Sequence, residues 1–134
     1  MKKTIMRKQG MSLTPLALAM PTVHEVCEPA VPQVIRLALD HLAPELPIGA
    51  RVIVFGSHAE GSARADSDID LLIIEPEVKD RAAEMIRLSA LLGRQLIPAD
   101  VVVMSSEMFG RQREIPNTLA WRVARQGIEY EFVH

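Results

Sequence analysis

Val52-Ile-Val-Phe-Gly-Ser-His-Ala-Glu-Gly-Ser-Ala-Arg-Ala-Asp-Ser-Asp-Ile-Asp-Leu-Leu-Ile-Ile74 decides the fold. It reads as an apolar strand, a Gly56-Ser57 turn into a short helix, and a second strand that opens with two aspartates one residue apart. Side chains alternate across a strand, so Asp68 and Asp70 share a face while Ile69 and Leu71 turn away. Two neighbouring carboxylates repel each other unless a cation sits between them. Mg²⁺ takes oxygen ligands and is usually held by one or two carboxylates plus substrate phosphates, so the Asp pair is a candidate metal seat. Gly56 lets the backbone approach a ligand, and the first amides of a helix suit phosphate. Ser57 adds a hydroxyl. A metal seat beside a phosphate cradle describes a site for a nucleoside triphosphate with its metal.

Working outward, Arg51 to Phe55 is β-branched and aromatic and reads as a buried strand. Before it, Val34, Ile35, Leu37, Ala38 and Leu42 recur at helical spacing, so a helix is expected over 31–42, with Pro32 acceptable in its first turn. Pro44, Pro47 and Gly49 then form a loop. After the second strand, Asp80 announces a helix from about Val78 to Leu92, with Gly93 as its stop. Gln95 to Met104 reads as a third strand, with Ser105 or Ser106 capping a turn. Pro116 to Gln126 is the last helix and Ile128 to Val133 a short closing strand. Strands alternating with helices define an α/β domain.

The 134 residues suit one domain, the usual range being about 50–250. Apolar residues are 49% of the chain, enough for a core. A net charge of −2 gives no electrostatic footprint for nucleic acid, for which a pI above about 9 is the usual cue. The single Cys27 excludes an intramolecular disulfide framework and fits a reducing compartment. No apolar run approaches the ~20 residues of a membrane span. In residues 1–30, Lys2, Lys3, Arg7 and Lys8 precede an apolar segment ending near Ala17-Leu18-Ala19, which resembles a secretory signal. Pro15 interrupts that segment, and a triphosphate-dependent enzyme finds its substrate in the cytoplasm. The reading is therefore a flexible basic leader over 1–30 and a cytoplasmic domain over 31–134. His24, His41 and His134 show no metal-ligand spacing, which argues against zinc.

Gly56-Ser57, ten intervening residues and Asp68-Ile69-Asp70 resemble the signature of the polymerase-beta-like nucleotidyltransferase superfamily. Phe55-Gly56-Ser57, Gly61-Ser62-Ala63-Arg64 and Ser67-Asp68-Ile69-Asp70-Leu71 are similar to its small stand-alone branch, the minimal nucleotidyltransferases. The resemblance spans roughly Arg51 to Val103. It implies a small mixed sheet with helices on one side, and a third carboxylate on a later strand, matched here by Asp100 in Ala99-Asp-Val-Val-Val103. It further implies that Asp68, Asp70 and Asp100 hold two Mg²⁺ ions roughly 4 Å apart, while Gly56, Ser57 and Arg64 bind the phosphates of ATP. Asp66 fits turn chemistry better than a ligand role.

Members of this branch commonly carry Arg or Lys where His58 and Glu60 stand. His is only partly charged near neutral pH, and a carboxylate facing the site repels phosphate. Such small proteins are commonly paired with an all-helical HEPN ribonuclease toxin, which they silence by transferring AMP to a tyrosine hydroxyl. The resemblance therefore implies an antitoxin that is a protein adenylyltransferase, with a HEPN toxin as partner and no direct contact with nucleic acid or membrane. Two alternatives stay open: a module that silences its partner by binding alone, and a transferase for a small molecule of the aminoglycoside type.

Overall fold

The computed structural model describes residues 4–7, 32–64 and 67–133. Five described strands form one mixed sheet in the order β1-β5-β2-β3-β4. In chain order the elements are β1 (Thr4–Arg7), α1 (Gln33–Leu42), a 3₁₀ turn (Ala43–Glu45), β2 (Arg51–Phe55), α2 (Ser57–Glu60), β3 (Ile69–Glu75), α3 (Arg81–Arg94), β4 (Ala99–Ser105), α4 (Ser106–Gln112), α5 (Leu119–Gln126) and β5 (Ile128–Val133). β2 pairs antiparallel with both β3 and β5, β1 antiparallel with β5, and β3 parallel with β4. Parallel neighbours need a crossover connection, which α3 supplies.

The three central strands carry near-continuous apolar runs because both of their faces are covered. Val52, Val54, Ile69, Leu71, Ile73, Val101 and Val103 pack on one face against Leu39 and Leu42 of α1 and Leu88 and Leu92 of α3. Ile53, Leu72, Ile74 and Met104 pack on the other against Phe109 of α4 and Ala120 and Val123 of α5. The expected mixed α/β sheet flanked by helices is therefore present, but with helices on both faces rather than one. The uninterrupted Leu71-Leu-Ile-Ile74 run is the reason, since an open face would demand a polar residue at every second position.

Helix starts follow side-chain capping. Asp80 accepts from the Ala83 amide at 3.0 Å, Ser105 from Met108 at 3.1 Å, and Thr118 from Trp121 at 3.1 Å. The Ser105 cap opens a true helix, α4, where only a turn was expected. Gly93 does not stop α3; the helix runs on to Arg94, and Leu96 takes the left-handed conformation at φ 59°. Thr4–Arg7, which falls in the expected leader, is an edge strand of the sheet. The remainder of 1–30 lies outside the described residues.

The end of β3 far from the Asp pair carries a buried acid. Glu75 is only 5% exposed, and its Oε2 has no hydrogen-bond partner among the described residues. Burial, then hydrogen bonding and charge from Glu84, push its carboxyl up to about 8. Glu84 is held down to about 2 by its hydrogen bonds from Arg87 and Glu75. Arg87 also reaches Glu45 at 3.2 Å, so three carboxylates share one guanidinium. Near neutral pH Glu75 therefore keeps its proton and shares it with Glu84 as a hydrogen bond.

Its ordinary value is 4.5. Between there and about 8 the unfolded chain has lost this proton and the folded chain has not, so stability falls as pH rises through that window. The Glu84 contribution has the opposite sign and is lost as pH falls from 4.5 toward about 2. Glu75→Gln keeps a donor to Glu84 and removes the titration. Urea unfolding should show the variant more stable than wild type near pH 8.5 and little changed near pH 5.

Candidate active site

Strand parity decides which face the carboxylates take. Asp70 alternates in step with Leu72 and Ile74, and Asp100 with Val102 and Met104, so both stand on the face covered by α4 and α5. They are direct partners across the parallel β3–β4 ladder, and Phe55 at the end of β2 is the partner of Asp70 on the other side. Neighbouring strands lie about 4.8 Å apart, which puts the two carboxylates side by side.

Asp68 falls one residue ahead of β3, is exposed, and yet remains close enough to act on Asp70. The Asp70 carboxyl is raised above its ordinary value, first by burial and then by the charges of Asp100 and Asp68; a charged His58 draws it back. Three acids expected from the sequence therefore meet electrostatically at one strand end.

Gly56 fits this site through its missing side chain. It has φ 73° and ψ −150°, a region that is essentially glycine-only. A Cβ there would collide with Asp70 Oδ2 and lie 3.2 Å from its Cγ. The turn after β2 thus lies directly against the Asp70 carboxylate. Ser57 begins α2, whose N-cap residue, Gly56, has no side chain with which to cap it. The Ala59 and Glu60 amides both donate to the Gly56 carbonyl, at 3.1 and 3.0 Å, and the Ser57 and His58 amides have no backbone acceptor among the described residues.

The loop back to β3 is tied by Ser67. Its hydroxyl accepts from the Arg64 amide at 2.8 Å, and its carbonyl lies 3.3 Å from His58 Nε2. Arg64 has an exposed side chain and lines an open cavity of about 500 Å³ with His58, Ser67 and Pro98. Asp66 lies outside the described residues.

A second cavity, of about 110 Å³, adjoins Gly56. It is lined by Phe55 at the end of β2, Gly56, Glu60 at the end of α2, and Leu119, Arg122, Val123 and Gln126 from α5. The α5 wall was not expected from the sequence. No local pattern links α5 to the Gly-Ser turn; the two meet because Val123 packs on Ile53 of the sheet.

Among the described residues, no group of three or more His, Cys, Asp or Glu side chains is arranged to hold a metal ion by itself. The donors that are present are hard carboxylate oxygens, and Asp70 is raised by burial and then by the charges of Asp100 and Asp68. That combination fits a cation such as Mg²⁺, which completes its shell with phosphate and water oxygens.

The site thus consists of acids paired across β3 and β4 beside a glycine turn, on a mixed α/β sheet. The model of the family described as "Nucleotidyltransferase domain" matches residues 34–124, more than half of the chain, and the chain belongs to that family. A crystal structure of a protein from Sulfolobus solfataricus, provisionally described as a nucleotidyltransferase, is similar to it at 20% identity. That similarity covers 76% of this chain and 85% of that one, with a TM-score of 0.47. No curated protein matches the sequence. Among the described residues, no helix is long and apolar enough to cross a membrane.

Proposed function

We propose that the chain transfers AMP from ATP to a protein hydroxyl, and that the acceptor is a tyrosine of a helical HEPN-type toxin which it thereby silences. The observation that carries the transfer reaction is the Asp70–Asp100 pair in register on parallel strands, with Gly56 backbone packed against Asp70. In this reading Asp68, Asp70 and Asp100 hold Mg²⁺, and Gly56, Ser57 and Arg64 contact the phosphates. A divalent cation bound there would polarise phosphate oxygens and lower the pKa of an attacking hydroxyl.

The chain's own residues supply placement and proton handling. In this reading the exposed Asp100 accepts the proton of the incoming hydroxyl, and a bound cation offsets the burial and neighbouring charges that raise the Asp70 carboxyl. The hydroxyl oxygen bonds to the α-phosphorus, the bond to the bridging oxygen breaks, and pyrophosphate leaves with that electron pair. The antitoxin role rests on the likeness to minimal nucleotidyltransferases.

Intact-mass measurement of a co-expressed helical partner, incubated with the protein, ATP and Mg²⁺, tests the whole reading. A gain of one or more AMP units is expected. An unmodified partner that is nevertheless bound and silenced would favour the binding-only alternative. The presence of Glu60 on the wall of the Gly56 cavity is the observation that speaks for that alternative.

A further inference from the structure

Gly56 is a shared wall. One side of it lies against the Asp70 carboxylate, and it also lines the cavity of about 110 Å³ that α5 closes. The Asp70 carboxylate and the cavity therefore both adjoin one backbone residue. Arg122 and Gln126 stand one turn apart on α5 and line it together.

The arginines of this helix differ in how they are engaged. Arg125 donates to the Trp121 carbonyl at 3.3 Å and stacks on the Trp121 ring at 4.4 Å. Arg122 has no carboxylate partner among the described residues, although Glu60 lines the same cavity. Phe55, Leu119 and Val123 give that cavity apolar walls, while the side chains of Glu60, Arg122 and Gln126 are exposed to solvent.

Resting on the nucleotidyltransferase reading, we infer that this cavity receives the β- and γ-phosphates of the nucleotide and that Arg122 is the cation that grips them. It replaces from a distant helix the positive charge that His58 and Glu60 do not provide in the turn itself. Guanidinium matches phosphate oxygens with paired N–H donors, and an Arg without a carboxylate partner loses no ion pair on binding. Gln126 adds a carboxamide donor to the same anion, and Glu60 opposes it.

The test is calorimetric titration of inorganic pyrophosphate, and separately of AMP, into the full chain with Mg²⁺ present. It compares wild type with Arg122→Ala, Arg122→Lys and Glu60→Gln, with thermal melts to show that each variant is folded. Arg122→Ala should weaken pyrophosphate at least about tenfold and leave AMP unchanged. Arg122→Lys should fall between, and Glu60→Gln should bind pyrophosphate more tightly than wild type. Unchanged pyrophosphate affinity in Arg122→Ala would overturn the assignment. So would an equal loss of AMP, which would make the cavity a base pocket, or a wild type that binds no pyrophosphate. Absence of transfer to any acceptor, with Arg122-dependent pyrophosphate binding intact, would overturn the proposed function and leave this subsite standing.

Discussion

Asp70→Asn is expected to reduce nucleotidyl transfer at least about 100-fold while leaving the domain folded. Loss of a residue that merely supports a metal ligand commonly costs about 10–100-fold, and loss of a ligand costs at least as much. The stability side follows from the sign of the Asp70 shift. Burial, Asp100 and Asp68 raise its carboxyl, so the folded state holds that proton more tightly than the unfolded chain does. Stability from this group is full below the ordinary carboxylate range and is lost as pH rises through the raised value. The neutral carboxamide removes the repulsion, and the variant should melt at or above the wild-type temperature near neutral pH without metal. Added Mg²⁺ should raise the wild-type melting temperature and leave that of the variant unchanged. Wild-type transfer by the folded variant would remove Asp70 from the site.

Gly56→Ala should damage the same site through the backbone. Its φ and ψ lie where only glycine is comfortable, a conformation that costs other residues about 1–3 kcal/mol. The added Cβ would also collide with Asp70 Oδ2, so either the turn or the carboxylate must move. Urea unfolding should show a loss of about 2 kcal/mol. Transfer should fall by about 100-fold even where the protein remains folded, because a displacement near 1 Å at a reacting centre carries a penalty of that order. A variant with near-native activity would show that Gly56 and Asp70 do not act as one unit.

Gly127→Ala gives a useful contrast. Its Cβ would overlap Ile53 Cγ2 and lie 2.8 Å from the Val123 carbonyl, so the clash falls on core packing behind the site rather than on Asp70.

β2 and β5 start and end at the expected residues, Arg51–Phe55 and Ile128–Val133, whereas the third expected strand begins at Ala99 rather than Gln95, because α3 and its left-handed exit at Leu96 take up the residues before it. The pairing of Asp70 with Asp100 followed only from likeness to a family, since register between two strands separated by a helix is not written in either strand alone. α4 escaped notice because Ser106–Gln112 has just Met108 and Phe109 as apolar residues and a Gly110 within it, too little for a helical period. β1 was hidden in a basic leader whose charges read as solvated chain. The Arg122 wall was invisible for a different reason: it exists only because α5 folds back over Ile53, a tertiary contact between distant segments. Glu75 looked like an ordinary strand-end acid, and its environment is set by Glu84 and Arg87 on another element.

The central claim is cleavage of a nucleoside triphosphate between its α- and β-phosphorus atoms at the Asp68, Asp70 and Asp100 cluster. Its most direct test is to follow ATP labelled at the α- or the γ-phosphate, with Mg²⁺ and the helical partner present, for wild type beside Asp70→Asn. The expected result is α-label on the acceptor and γ-label in released pyrophosphate, both lost in the variant. Release of γ-label as inorganic phosphate with ADP, or no label transfer by a wild type that still silences its partner, would contradict it.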